Sequence, residues 1–129
     1  MADNSGQMKV DSGKSPLREK SYAFALQIVQ LSRRLTREEK EYVLARQILR
    51  SGTSIGANII EATQGQSRAD FIHKLAIALK EAAETNYWLQ LLRDADLIPT
   101  SEAISLLESC RELERMLTAS IKTAKENRS

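Results

Sequence analysis

Apolar residues recur along this chain three and four positions apart, in four stretches separated by short polar breaks, which is the spacing of helices that bury one face. The last stretch is the simplest. Ala103, Leu106, Leu107, Cys110, Leu113, Leu117, Ile121 and Ala124 form one stripe, with Glu108, Glu112 and Arg115 elsewhere on the wheel. The other three carry more apolar positions than one face holds. In the first, Leu17, Phe24, Ile28, Leu31 and Leu35 form one stripe, while Tyr22, Ala25, Leu26 and Val29 form a second on nearly the opposite side. In the second, Leu44, Ile48, Ile55, Ile59 and Ala62 are accompanied by Leu49, Gly52, Gly56 and Ile60 on another side. In the third, Phe71, Leu75, Ala78, Leu79, Ala82 and Leu89 form the core stripe, beside Ile72, Ala76, Ala83 and Tyr87.

The breaks carry capping chemistry. Ser15 is placed as N-cap with Pro16 at the first helical position, where its missing N–H costs nothing, and the helix runs to about Leu35. Thr36-Arg37-Glu38-Glu39 has the form of a capping box, which predicts a second helix from there to about Thr63. Gly65 is expected to end it in a left-handed conformation. Ser67 to Asp70 opens a third helix that continues to about Arg93, and Asp94 to Pro99 is the next break. Thr100 or Ser101 then caps a fourth helix ending near Lys125. Short connections predict an all-α, antiparallel, up-down-up-down four-helix bundle over residues 15–129. Residues 1–14 have no hydrophobic period and read as a disordered tail.

A monomeric bundle needs one apolar stripe of roughly 100° per helix, so second apolar faces on three helices predict a homo-oligomer. Tyr22, Leu26, Val29, Leu49, Gly52, Gly56 and Ile60 are the candidate interface. The alternative is an irregular bundle whose wider stripes are all internal. Gly52 and Gly56 lie four apart inside a helix, where each costs about 1 kcal/mol relative to Ala, and close approach of another helix is the expected compensation. A phosphate-binding loop fails, because there is no preceding strand and no Gly-Lys-Ser/Thr ending.

Composition agrees with helices: 5 Gly and 2 Pro in 129 residues. The single cysteine, Cys110, can form neither an internal disulfide nor a thiolate zinc site, and reads as a small core residue. No apolar run approaches the roughly 20 residues of a membrane span, and no secretory signal is evident, so a cytoplasmic protein without membrane contact is expected. Asn58, Glu61 and Glu84, with Glu81, are placed to converge between the second and third helices. A di-metal site there would need Glu-x-x-His pairs, yet the chain has one histidine, His73. Hydrogen bonds that set helix register are the simpler reading, and no metal, cofactor or catalytic residue is expected.

Net charge is only +2, but the first fifty residues hold ten Lys/Arg against six Asp/Glu. Arg33, Arg34, Arg37 and Lys40 cluster at the first turn, and Arg46 and Arg50 lie opposite the core stripe of the second helix. Part of this is explained by the helix dipole and by Glu38, Glu39 and Glu41 nearby. The remainder makes these six residues the candidates for nucleic-acid binding, with structured RNA read by shape as the expected ligand. A scaffold that binds a protein partner and no polyanion is the rival.

The stretch from Ile48 to Leu92 resembles the four-helix-bundle proteins encoded within intervening sequences of bacterial 23S ribosomal RNA genes. The family pattern S-I-x-x-N-I-x-E-[GA] is matched by Ser54, Ile55, Asn58, Ile59, Glu61 and Ala62, and the following E-x-x-Y-W-L by Glu84, Tyr87, Trp88 and Leu89. Ala62 stands where the family usually has Gly, which moves the turn to Gly65. The resemblance implies a homopentameric ring without enzymatic activity. It also implies kinship with the accessory variability determinants of diversity-generating retroelements, basic pentamers that associate with nucleic acid and a reverse transcriptase.

Overall fold

Four helices follow one another with three short links: α1 (Pro16–Glu38), α2 (Tyr42–Thr63), α3 (Arg68–Asp94) and α4 (Thr100–Glu126). They are seen in a computed structural model that describes residues 15–127. The expected tail, residues 1–14, lies outside the described residues, as do residues 128–129, and among the described residues there is no strand. Sequential helices pack side by side, α1 on α2, α2 on α3 and α3 on α4, and a less extensive contact between α1 and α4 closes the bundle.

The first break differs from expectation. The Thr36 capping box does not form, and α1 continues three residues past Leu35 to Glu38. Lys40 then takes φ 55°, and the Glu41 amide donates to the Leu35 carbonyl at 3.0 Å. Glu41 itself caps α2, its carboxylate accepting from the Leu44 amide at 3.2 Å. A glutamate side chain thus supplies the α2 cap expected of Thr36, and Leu35 and Thr36 remain in the helix that buries Leu35.

The α2 terminus is also corrected. Gly65 is not left-handed; Gln64, at φ −104°, is the C-cap. Space is what requires Gly65, since a Cβ there would stand 3.0 Å from Asp70 Cβ and 3.3 Å from the Ala62 carbonyl oxygen. Ser67 does open α3, its hydroxyl accepting from the Asp70 amide at 3.1 Å. The reciprocal bond runs from the Gln66 amide to the Asp70 carboxylate. Asp96 takes the left-handed conformation after α3, φ 59°, with the Leu97 amide on the Leu92 carbonyl and the Asp96 amide on that of Arg93. These two bonds make a Schellman closure without glycine. The N-cap of α4 is Pro99, not Thr100 or Ser101, and no side chain caps it.

The core follows the predicted stripes. Phe24, Ile28, Leu31 and Leu35 of α1 meet Ile48, Ile55 and Ile59 of α2, Leu75, Leu89 and Leu92 of α3, and Leu107, Cys110 and Leu113 of α4. Four buried hydroxyls or thiols were not foreseen as contacts. Ser32 donates to the Ala45 carbonyl at 3.0 Å, Ser51 and Thr85 share a hydrogen bond of 2.9 Å between α2 and α3, and the Cys110 thiol donates to the Ala82 carbonyl at 3.2 Å. Each leaves a buried polar group satisfied and ties one helix to the next.

Gly52 belongs to this core. It is buried, and a Cβ there would come within 2.8 Å of Ile28 Cγ2. The close approach it permits is between α1 and α2 of one protomer, so Gly52 does not belong with the residues available to a second chain.

Candidate functional site

The outer side of the α1–α2 pair is apolar and uncovered in the protomer. On α1, Tyr22, Leu26 and Val29 run in steps of four and three, and one further step of four reaches Arg33. On α2, Ile60, Gly56, Thr53 and Leu49 repeat the same steps, which continue to Arg46 and Tyr42. Steps of four and three hold a row on one face of a helix, the spacing used where helices pack along a seam. Tyr22 is 67% exposed and Leu26 48%, values that no internal stripe of a bundle would show. Val29, Leu49, Gly56 and Ile60 are half-buried in the walls between the two helices. Gly56 and Ile60, with Tyr22, Ala25, Thr53 and Ala57, line a groove of about 570 Å³ that Arg18, Glu19 and Ser21 also border. Gly56 forms part of its floor: a Cβ there would lie 3.3 Å from the Ser21 hydroxyl.

The six cations separate into two groups. Arg34 reaches across to α4 and is held by both carboxylate oxygens of Glu102 at 2.6 Å. Arg50 lies between Glu81 and Glu84 of α3, and its guanidinium pKa is raised, first by the hydrogen bond to Glu84. Two carboxylates around one guanidinium leave that region with a net negative charge. Neither Arg34 nor Arg50 therefore presents an unneutralised cation to a polyanion. Arg33, Arg37 and Arg46 are exposed, and no ion pair is formed by them among the described residues. The Lys40 ammonium donates to the Arg37 carbonyl at 3.1 Å, closing the end of α1.

The polar residues of the α2–α3 contact do not converge as expected. Asn58 donates back to the Ser54 carbonyl of its own helix at 2.8 Å. Glu61 pairs with Lys74 at 2.7 Å, and Glu84 turns to Arg50 and to the Trp88 indole, whose Nε1 donates at 3.0 Å. The Arg50 and Trp88 hydrogen bonds hold the Glu84 carboxyl below its ordinary range. Glu61 and Glu84 do bridge α2 and α3, to Lys74 and Arg50, beside the Ser51–Thr85 bond, and Asn58 alone makes no bond between the two helices among the described residues. His73 is exposed. Among the described residues no three His, Cys, Asp or Glu side chains group as a metal site would require.

Sequence reasoning missed Tyr42 and Val43, exposed by 53% and 59% at the start of α2. The signal was present, since Tyr42 continues the Leu49–Arg46 row by one turn, but the misplaced helix start hid it.

No helix of the described residues is long and apolar enough to cross a membrane. The profile of the family described as 23S rRNA-intervening sequence protein matches residues 14–119. A solved structure of a protein of unknown function from the S23 ribosomal protein family of Bacteroides thetaiotaomicron VPI-5482 is similar at 53% identity. The match covers 82% of this chain and 98% of that one, with a TM-score of 0.81. Comparison with curated proteins gives no match.

Proposed function

The chain belongs to the 23S rRNA-intervening sequence protein family, and from that premise we propose that it is a non-enzymatic protein that assembles with copies of itself and binds RNA. One observation carries the reading: the apolar row Tyr22–Leu26–Val29 ends in Arg33, and the row Ile60–Gly56–Thr53–Leu49 ends in Arg46. A second chain seated on the apolar part of this face removes it from water and leaves the arginines at the rim of the contact.

A further apolar face lies on α3, where Ala83 and Tyr87 are exposed beside half-buried Ile72 and Ala76. Two unlike faces on one chain suit a head-to-tail contact, which closes into a ring when the rotation permits; a homopentamer is the form the family resemblance implies. The charge at the α1–α2 turn argues for the same design. Arg33, Arg37, Lys40 and Arg46 face Glu38, Glu39 and Glu41, leaving about one positive charge per protomer. That is little for an isolated chain, whereas a ring repeats it, and binding to a polyanion grows with the number of phosphates contacted.

The pairing of Arg34 and Arg50 with carboxylates favours a second reading, a scaffold for a protein partner such as a reverse transcriptase. Titration of the assembled protein with a labelled structured RNA at about 50 mM and 200 mM salt separates the two. Salt-dependent binding is expected, and its absence at the lower salt would leave the scaffold.

A further inference from the structure

We propose that the outer face of α4 is a second contact for RNA, a straight row of cations that engages the phosphate backbone along the half of the bundle farther from the α1–α2 turn. The inference rests on the RNA-binding reading above. Arg111, Arg115, Thr118, Lys122 and Lys125 follow one another in steps of four, three, four and three, so they lie along one line of the helix. All five are exposed. The four cations form no ion pair among the described residues. Arg111, Arg115, Thr118 and Lys122 line a shallow open trough of about 520 Å³, with Glu114 and Ala119 at its sides.

No nearby acid closes an ion pair with the row among the described residues. Of the five glutamates of α4, Glu102 is taken by Arg34 and Glu112 by Lys20 on the side facing α1. Glu108 stands one step of three before Arg111 on the same line, while Glu114 and Glu126 flank it; none of the three forms an ion pair among the described residues. Arg111 and Arg115 are like charges one turn apart, which is destabilising for a helix by a few tenths of a kcal/mol. Glu108, Glu112 and Glu114 lie within a turn of the two arginines and offset part of that cost; an anion lying across both would offset it further.

The dimensions choose the ligand. Fourteen residues separate Arg111 from Lys125, about 21 Å at a rise of 1.5 Å per residue. One strand of a DNA duplex advances about 3.4 Å per phosphate along its axis, so on that scale the row is several phosphates long. A small anion would meet one or two of the cations, and only an extended polyanion meets all four. The row is also separate from the first cluster. Glu102, tied to Arg34 near the end of α1, is nine residues from Arg111 and twenty from Lys122, about 14 Å and 30 Å along α4. At the far end of α4, Arg68 at the start of α3 donates to the Ala124 carbonyl.

The test uses the full chain carrying Arg111→Gln, Arg115→Gln and Lys122→Gln together, with Arg111→Lys and Arg115→Lys as the charge-preserving control. Glutamine keeps helix propensity, and unchanged circular dichroism and oligomeric mass confirm the fold. Affinity for the same labelled structured RNA, extended by a 20-nucleotide single-stranded arm, is measured across a salt series. The triple Gln variant is expected to bind about tenfold more weakly at low salt. Its slope of log affinity against log salt should flatten by about two, from three lost contacts at roughly 0.7 each, while the Lys control keeps the wild-type slope. An unchanged slope in the triple Gln variant overturns the α4 contact, and leaves the RNA reading standing if Arg33→Gln, Arg37→Gln and Arg46→Gln together still weaken binding. A wild-type chain that binds no RNA overturns both.

Discussion

A Cβ placed on Gly52 of α2 would lie 2.8 Å from Cγ2 of Ile28 on α1, and 3.2 Å from its Cβ. Ile28 is branched at that carbon and fully buried, so it cannot swing aside. Gly52→Ala is therefore expected to destabilise the protomer by about 1–3 kcal/mol from overpacking, exceeding the roughly 1 kcal/mol gained in helix propensity. Gly56→Ala meets only the Ser21 hydroxyl at 3.3 Å, and is expected to be neutral or slightly stabilising. Urea unfolding of the two variants checks the contrast; equal destabilisation would contradict it.

The α1–α2 face gives a prediction about assembly. Leu26→Glu and Gly56→Arg place charge or bulk on the groove side of a folded protomer, and both are expected to lower the oligomeric mass by light scattering after size exclusion. Substitution of Glu112, which bridges Lys20 through an exposed 3.5 Å contact, should leave the mass unchanged. A wild-type mass near 14.5 kDa at micromolar concentration would refute assembly itself.

Ion pairing divides the arginines that the sequence grouped together. Arg33→Gln, Arg37→Gln and Arg46→Gln in one chain are expected to weaken RNA binding and flatten its salt dependence, without loss of stability. Arg34→Gln with Arg50→Gln is expected to leave RNA affinity within twofold while costing about 1 kcal/mol of stability, because these bridges are partly exposed. RNA titration and thermal melts of both variants decide the matter, and the reverse pattern would mean that Arg34 and Arg50 leave their carboxylates for the ligand.

Trp88 is the chain's single tryptophan and donates to Glu84, so its emission reports that carboxyl. Glu84 is held below the ordinary value of 4.5, first by Arg50 and then by Trp88. A depressed folded-state pKa stabilises the fold above the unfolded value, and the contribution disappears as pH falls through the folded value. The Trp88 signal is expected to titrate below pH 4.5, and the acid limb of stability to be shallower in Glu84→Gln. A titration midpoint above 4.5 would show that the Arg50 bridge is absent in solution.

Burial pushes the Cys110 thiol up to about 12, so almost no thiolate exists at neutral pH. Aromatic disulfide reagents are expected to leave Cys110 unmodified at pH 8 until urea unfolds the chain. Rapid labelling of the native protein would place the thiol outside the core.

Much of this molecule is local, and local features are legible in a sequence. Helical spacing identified four helices and nearly every core residue, because burial of one face imposes a period of 3.6 on any helix whatever packs against it. The Ser15 and Ser67 caps were legible for a similar reason, since each bond closes within three residues. Where two local solutions competed, tertiary packing chose between them. Glu41 capped α2 in place of Thr36 because α1 had Leu35 to bury, and Gly65 was needed for clearance from Asp70 in place of a left-handed turn. The fate of each charge was decided wholly at a distance. Arg34 meets Glu102 across 68 residues and Arg50 meets Glu84 across 34, separations that no period or motif encodes. The same holds for Gly52 and Gly56, alike in sequence and four residues apart: one lies beneath Ile28 and the other opens onto the groove, because the helix turns only one of them fully toward α1.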